Sequence, residues 1–227
     1  CLNYMRYHQL QPKNLDFSFH LLNSDNIQTL ICLKDLLIKT SQIKGDVVEF
    51  GVGRGRSLII LSSLLSYLNS KKKLFIFDSF KGFGNIDFKD NSLRNPQKGE
   101  WSKSPDQKYQ YNIKFIKKIL QIHLHPKNKY PIKFVKGYIE TNLPNFKKLN
   151  KISFIHCDVD LYLPHKVILE NMWSKLSKGG IILFDDIEKG IKSKKFPGAV
   201  SAFKEFFKGK KIKIYNLKNR NNIFVKK

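Results

Sequence analysis

The stretch "GDVVEFGVGRGRS", residues 45–57, constrains the fold more than any other. Val47, Val48 and Phe50 are β-branched or aromatic and read as a short strand that Gly51 ends. A helical pattern begins at Arg56 and runs to Asn69, so three glycines join a strand directly to a helix. A chain that repeats such strand–helix units folds as a mostly parallel sheet covered on both faces. The glycine spacing also excludes two nucleotide-binding turns. A G-x-G-x-x-G fingerprint needs its third glycine at 56, where Arg56 stands, and no Gly-Lys-Ser/Thr follows as in a P-loop.

The pattern does repeat. "KKLFIFDSF" (72–80) predicts a second strand ending at Asp78, and "YPIKFVKGYI" (130–139), "KISFIHCDVD" (151–160) and "IILFDDI" (181–187) predict three more. Helical spacing predicts helices from a Ser24 or Asp25 cap to Thr40, and over 109–124, 164–177 and 197–209, the last opened by Pro197. Gly179-Gly180 is expected to turn the chain into the fifth strand. Residues 81–108 and the Lys-rich 188–196 read as loops, the first long enough to serve as a lid. "KKIKIYNL" and "NNIFVKK" predict a closing antiparallel hairpin. The expected organisation is an N-terminal arm and helix (1–40, with Tyr4, Tyr7, Phe17, Phe19 and His20 on the arm) and one domain (41–227).

The formal net charge of +24 raises the question of a polyanionic partner. Of the 42 basic residues, however, 37 are Lys and five are Arg, whereas phosphate and base readers lean on Arg forks. The charge therefore reads as lysine drift on solvated faces, and nucleic acid is not the expected partner. The longest apolar run, "SLIILSSLLSYL" (57–68), is too short for a membrane span and is interrupted by Ser. The N-terminus has no apolar segment of signal-peptide type, and the first residue is Cys1 rather than Met, which leaves the true start open. Cys1, Cys32 and Cys157 have no paired or metal-type spacing, so a reduced, cytoplasmic protein is the expectation.

Against this lysine background, the acids are concentrated. "FIHCDVDLY" places Asp158 and Asp160 two apart after an apolar run, and "IILFDDI" ends the next strand with Asp185 and Asp186. In open α/β sheets ligands bind at the carboxyl ends of strands, so three or four carboxylates are expected in one small volume. Unneutralised, they would repel and raise one another's pKa. A hard divalent cation with oxygen ligands, Mg²⁺, resolves this and would lower the pKa of a bound acceptor hydroxyl. Nearby Lys is the alternative neutraliser.

The turn E-F-G-V-G-R-G resembles motif I of S-adenosylmethionine-dependent methyltransferases, in which the glycines lie under the methionine part of the cofactor and an acid at the end of the second strand accepts from the ribose hydroxyls. Six ordered segments extend the likeness: "GDVVEFGVGRGRSL", "FDSFKGF", "KFVKGYIETNLP", "FIHCDVDLY", "LSKGGIILFDDI" and "FPGAVSAFKEFF" are similar to the macrocin O-methyltransferase family over residues 40–208. The resemblance implies a class I methyltransferase fold of the α/β class, with seven strands, helices on both faces and an antiparallel C-terminal strand. It also implies S-adenosylmethionine, Mg²⁺ and a sugar hydroxyl on a natural product or glycan as acceptor, possibly anionic here, in a protein that can be a homo-oligomer. By position, Glu49, Gly51, Gly53, Gly55, Arg56, Ser57, Asp78, Ser79, Gly137 and Tyr138 would serve the cofactor. Asp158, Asp185 and Asp186 would hold the metal, with Asp158 also the proton acceptor, and Phe83, Asp160 and Tyr162 would face the acceptor. Many relatives carry a bulky residue where this chain has Gly53. His156 is expected as a buried hydrogen-bonded residue or an orienter of the metal carboxylates, and His123 and His125 as helix-end residues. Two other function classes stand beside this one: a metal-independent methyltransferase acting on RNA or another polyanion, and a non-catalytic cofactor-binding module.

Overall fold

The structure, a computed structural model, describes residues 24–105, 107–124, 130–217 and 223–227. The predicted arm, with Cys1 and His20, and His125 lie outside the described residues. The elements in chain order are α1 (Ser24–Lys39), β1 (Asp46–Phe50), α2 (Arg56–Tyr67), β2 (Leu74–Asp78), α3 (Ile113–His123), β3 (Ile132–Lys136) and α4 (Ile139–Asn142). They continue with β4 (Ile152–Cys157), α5 (Tyr162–Met172), β5 (Leu176–Phe184), α6 (Ile187–Ser193), α7 (Pro197–Phe207), β6 (Lys213–Asn216) and β7 (Ile223–Lys226).

The strands form one sheet in the order β3-β2-β1-β4-β5-β7-β6. The first five are parallel, and β7 runs antiparallel to both β5 and β6. The chain builds outward from β1 through β2 to β3, then returns to place β4 on the other side of β1. The order thus reverses between β1 and β4, the place where open α/β sheets bind ligands. Period-two alternation gives each face its own core. Val48, Phe50, Phe77, Ile155, Ile182 and Phe184 pack against α5 and α7 through Ile168, Leu169, Met172, Ala199 and Phe203. Val47, Ile76, Phe154, Ile181 and Leu183 pack against α1 and α2 through Leu33, Leu36, Leu58, Leu61 and Leu65, and against Ile116 of α3. No helix of the described residues is long and apolar enough to cross a membrane.

Several predicted boundaries shift. β5 begins at Leu176, with Gly179 and Gly180 inside it; the pairing with β4 jumps from Leu176 to Ile181, so the glycines make an irregularity within the strand rather than a turn before it. α3 begins at Ile113 because the Asn112 side chain accepts the Phe115 amide and caps it there, which leaves residues 109–112 outside. α5 starts at Tyr162 and ends at Met172, and the predicted loop 188–196 begins as α6. β4 stops at Cys157, and Asp160 takes φ +57°, so strand alternation does not govern Asp158 and Asp160. The long loop is ordered against the domain. Asp87 caps a 3-10 turn (Phe88–Asp90), and buried Asp90 accepts the Tyr162 amide at 2.8 Å, where the N-cap Leu161 offers no side-chain acceptor. Lys89 and Tyr162 both hydrogen-bond Glu205 of α7, at 2.7 and 2.8 Å.

Gly51, the residue after β1, lies tight against the Asp158 backbone. Its φ is +82°, and a Cβ there would overlap the Asp158 carbonyl oxygen, whereas Gly53, at φ +50°, has nothing within 4 Å of that position. Gly51→Ala should therefore cost the left-handed strain of about 1–2 kcal/mol and a backbone displacement besides, while Gly53→Ala pays the strain alone. Thermal melting checks this: Gly51→Ala is expected to fall by distinctly more than Gly53→Ala.

Candidate active site

Backbone amides just past the strands align the site. Gly51 N–H donates to Phe77 O at 3.0 Å, Asp158 N–H to Phe50 O at 3.0 Å, Asp185 N–H to Cys157 O at 3.0 Å and Gly137 N–H to Asp78 O at 2.9 Å. The residues that follow β1, β4, β5 and β3 are thus each bonded near the carboxyl end of a neighbouring strand. The glycine turn, Asp78 and the two acid pairs end at one level along the sheet edge.

Above them lies a cavity of about 320 Å³, at the lower end of ligand-pocket size. Of the residues singled out from sequence, Gly51, Gly53, Arg56, Ser57, Asp78, Ser79, Phe83, Tyr138, Asp158, Asp160, Asp185 and Asp186 line it. Glu49, Gly55, Gly137 and Tyr162 are not among its walls. Tyr162 is held by the Lys89–Glu205 pair, and Arg56 is ion-paired with Asp25 of α1.

The Asp78 carboxylate accepts the Val52 amide at 2.7 Å and the Phe80 amide at 2.6 Å, so it ties the glycine turn to the end of β2. Burial pushes its carboxyl above the usual carboxylate range, against the pull of the Val52, Phe80 and Gly53 amides. Three amides act on its two oxygens, and a carboxylate has about four lone-pair sites, so some acceptor capacity remains.

Glu49 and His156 are paired residues in the β1–β4 register and share the face of Val47 and Phe154. Both are buried, and His156 Nδ1 lies 3.2 Å from Glu49 Oε1. Burial pulls the imidazole pKa down, but the bond to Glu49 and the charges of Glu49, Asp158 and Asp185 outweigh it and raise it. Glu49 therefore reaches the cavity through His156, which lines it, rather than directly.

The acids form two groups whose ligand atoms lie within 4.8 Å of one another: Asp158, Asp160 and Asp186, and His156, Asp158 and Asp185. Asp158 belongs to both. Asp186 Oδ2 accepts the Asp160 amide at 3.0 Å. Burial, then the charges of Asp186 and Asp158, push the Asp160 carboxyl well above its ordinary range, with Arg94 opposing. The first group fits Mg²⁺ in donor chemistry, since all three donors are carboxylate oxygens.

Sequence reasoning did not single out His165. It is fully buried on α5, with Nδ1 2.9 Å from Leu161 O and Nε2 3.9 Å from Asp186 Oδ2. Nε2 has no hydrogen-bond partner, and burial lowers the imidazole pKa to about 4. With Nδ1–H donating to Leu161, the neutral ring turns its lone pair toward the acid cluster. No signal in the sequence marks this residue, because the register of α5 against Asp186 is a tertiary fact. At the end of α3, burial rather than a helix-end charge governs His123, whose pKa it lowers.

The family model for Macrocin-O-methyltransferase (TylF) matches residues 25–215. The chain is 26% identical over 171 residues to an 8-demethyl-8-(2,3-dimethoxy-alpha-L-rhamnosyl)-tetracenomycin-C 4'-O-methyltransferase of Streptomyces olivaceus, covering 71% of this chain and 59% of that protein. It is 24% identical over 183 residues to the demethyldecarbamoylnovobiocin O-methyltransferase of Streptomyces niveus, covering 77% and 63%. The chain thus spans about three fifths of the length of these curated relatives. Among solved structures, the calicheamicin methyltransferase CalS11 superposes with a TM-score of 0.76 at 20% identity, covering 99% of this chain and 91% of that one. The O-methyltransferase NovP gives 0.68 at 18%, covering 88% and 80%. These structural likenesses establish the class I O-methyltransferase fold.

His165 makes stability pH-dependent in a stated direction. The unfolded imidazole takes up a proton near pH 6.5, and the folded one only near pH 4. Its full contribution is therefore present above pH 6.5 and is lost as pH falls toward 4, by about 3 kcal/mol from this residue. Chemical denaturation between pH 7 and 4 should give a flatter dependence for His165→Leu than for the natural chain.

Proposed function

The chain belongs to the macrocin-O-methyltransferase family, and on that premise we propose that it methylates a sugar hydroxyl of a natural product or glycan, using S-adenosylmethionine and a hard divalent cation, Mg²⁺. The observation that carries the reading is the convergence of Asp158, Asp160, Asp185 and Asp186 on one cavity with the glycine turn and Asp78. When bound, S-adenosylmethionine supplies the methyl whose bond to sulfur breaks as its bond to the acceptor oxygen forms, and the cation supplies positive charge at that oxygen.

The chain's own residues divide the remaining work. Asp78 and Ser79 offer hydrogen-bonding groups to a ribose, and Tyr138 a wall to the adenine. The N-cap Gly55 of α2 has no capping side chain, so its first amides and Ser57 are available to a carboxylate. Gly51 and Gly53 let the backbone approach closely. Asp158, shared by both acid groups, takes the hydroxyl proton and, with Asp186 and with Asp160 in place of the Asp185 expected from sequence, would make the oxygen set for the cation. Asp185 faces the same space beside His156, whose ring is fixed by Glu49. A relative named for a 4'-O-methyl transfer to a rhamnosyl tetracenomycin supports a sugar hydroxyl as acceptor.

The RNA alternative has no matching feature in the cavity. Its walls carry Arg54 and Arg56 but no lysine, while Lys44, Lys151, Lys175 and Lys178 line a separate hollow at the amino ends of β1, β4 and β5.

Asp158→Asn and Asp186→Asn are each expected to lower kcat/KM by about 10²- to 10³-fold, equal to several kcal/mol of lost charge stabilisation. The affinity for S-adenosylhomocysteine, read by titration calorimetry, should stay within a few-fold. EDTA should abolish turnover and added Mg²⁺ restore it; full turnover in EDTA would sink the metal assignment.

A further inference from the structure

We infer that the amino edge of the sheet, at the far end of the strands from the cavity, docks the protein on an anionic lipid bilayer through its lysines. The described connections that lead into strands at this edge are "TSQIKG" (40–45), "LNSKKK" (68–73), "LPNFKKLNK" (143–151), "WSK" (173–175) and "KGKKI" (208–212). Every one carries lysine, and none carries Asp, Glu or Arg. Lys178, in the irregular start of β5, and Lys226 and Lys227, at the end of β7, stand at the same level. The nearest acids are Asp46, whose Oδ1 accepts the Lys73 amide at 2.9 Å, Asp35, one turn before the end of α1, and Glu170, in the last turn of α5.

The carboxyl edge differs. Its short connections are "GVGRG" (51–55), "DVDL" (158–161) and "DD" (185–186), and its long loop carries both signs. A compositional excess raises lysine on both edges, but it does not clear the acids from one of them.

Part of the lysine serves the fold. Helices end at this edge, and their terminal carbonyls attract cations. Lys175 Nζ donates to Phe146 O at 3.3 Å, Lys72 Nζ to Gly45 O at 3.1 Å and Lys227 Nζ to Trp173 O at 2.7 Å. By contrast, Lys44, Lys71, Lys147, Lys148, Lys151 and Lys178 are exposed and, among the described residues, pair with no carboxylate. Lys44, Lys151 and Lys178 also line a hollow of about 540 Å³ with Asn150, Ser174 and Ser177 and no acid. A headgroup phosphate entering it meets several donors, three of them charged.

The chemistry of the edge selects a bilayer over a nucleic acid. Ammonium groups are point charges, and among the described residues the edge has no guanidinium fork for a phosphodiester or a base. The connections are short and reach one level across several strands, which suits a plane, whereas single-strand binders track the backbone in a groove. Apolar tips stand among the lysines. Tyr67, the last residue of α2, is 80% exposed, and Ile38, beside Lys39 at the end of α1, and Ile214, beside Lys213 at the start of β6, are each 47% exposed. A bilayer interface accepts a tyrosine ring with its polar tip, and aliphatic side chains, together with lysine. A polynucleotide backbone offers the isoleucines nothing. The docked chain keeps its cavity toward the solution, because the cavity lies at the opposite edge.

The test is co-sedimentation of the full chain with vesicles of phosphatidylcholine alone or mixed with phosphatidylglycerol. Binding is expected only to the mixed vesicles, and it should weaken as salt rises. One variant changes Lys44, Lys71, Lys147, Lys148, Lys151 and Lys178 to Gln. A second changes Lys103, Lys114, Lys118, Lys133, Lys194 and Lys195 to Gln, so both lose the same charge. At about fivefold per lysine near an anionic surface, the first should bind at least about a hundredfold more weakly than the natural chain, and the second within about threefold of it. Amine acetylation of the natural chain, with and without mixed vesicles, should show protection at the first six lysines and not at the second six, a readout that needs no variant to fold. Equal losses in the two variants, or equal protection of the two sets, overturn the inference by reducing it to net charge. So does equal binding to phosphatidylcholine alone, or no binding to mixed vesicles at low salt. Tighter binding to a single-stranded oligonucleotide at equal phosphate concentration, with the same six lysines protected, overturns the lipid in favour of nucleic acid. Vesicle binding needs no cofactor, so its outcome is separate from that of the methyltransferase reading.

Discussion

The active-site arrangement depends on one repeated interaction, the amide that follows a parallel strand donating to the end of its neighbour. In Gly137, Gly51, Asp158 and Asp185 the same bond recurs across four adjacent strand pairs, β3/β2, β2/β1, β1/β4 and β4/β5. Side chains that are far apart in sequence are brought level by a backbone rule that no one side chain dictates. The close approach also fixes what may stand at 51. A carbonyl of the Asp158 loop occupies the space of any β-carbon, so the glycine turn and the acid cluster are one packed unit.

The same geometry separates two electrostatic regions. The shell of the molecule is heavily lysine-bearing, with a formal charge of +24, whereas the cavity walls are acidic. Exposed lysines are screened within about 8–10 Å at physiological salt, so their excess does little inside. What matters inside is local: two arginines on the glycine turn, six carboxylates and buried imidazoles. Net charge misleads about the site here because the lysines stand on the outer surface and the acids line the cavity.

The layered sheet was legible because period-two and helical patterns are local and each parallel strand is closed by a glycine or an acid. The acid pairs were legible for the same reason, since "DVD" and "DD" both follow apolar runs. Other features were not. Glu49 looks like a cofactor acid in the string, but it is opposite His156 in the register and is buried against it. Gly179-Gly180 look like a turn before the strand, yet they fall inside β5, as an irregularity where the pairing with β4 jumps from Leu176 to Ile181. Tyr162 seems aimed at the acceptor until Lys89, 73 residues earlier, is found holding it with Glu205. His165 carries no motif at all. Each of these depends on a partner distant in sequence, and composition and spacing record no such partner.

The acid cluster also has to exist before its cation arrives, and the fold makes this affordable by three local means. The Asp160 amide bonds to Asp186, Arg94 stands near Asp160, and burial with like charges favours a proton on the Asp160 carboxyl. On the proposed reading, a hard cation would take that proton's place, because both compete for the same carboxylate oxygens. His165, whose unpaired nitrogen faces Asp186 from inside α5, is too strongly desolvated to supply the missing charge. On that reading the cation enters from the open side of the cavity, where the acceptor hydroxyl would also bind. The positive charge that relieves the carboxylates is, on this arrangement, delivered to the oxygen that is to be methylated.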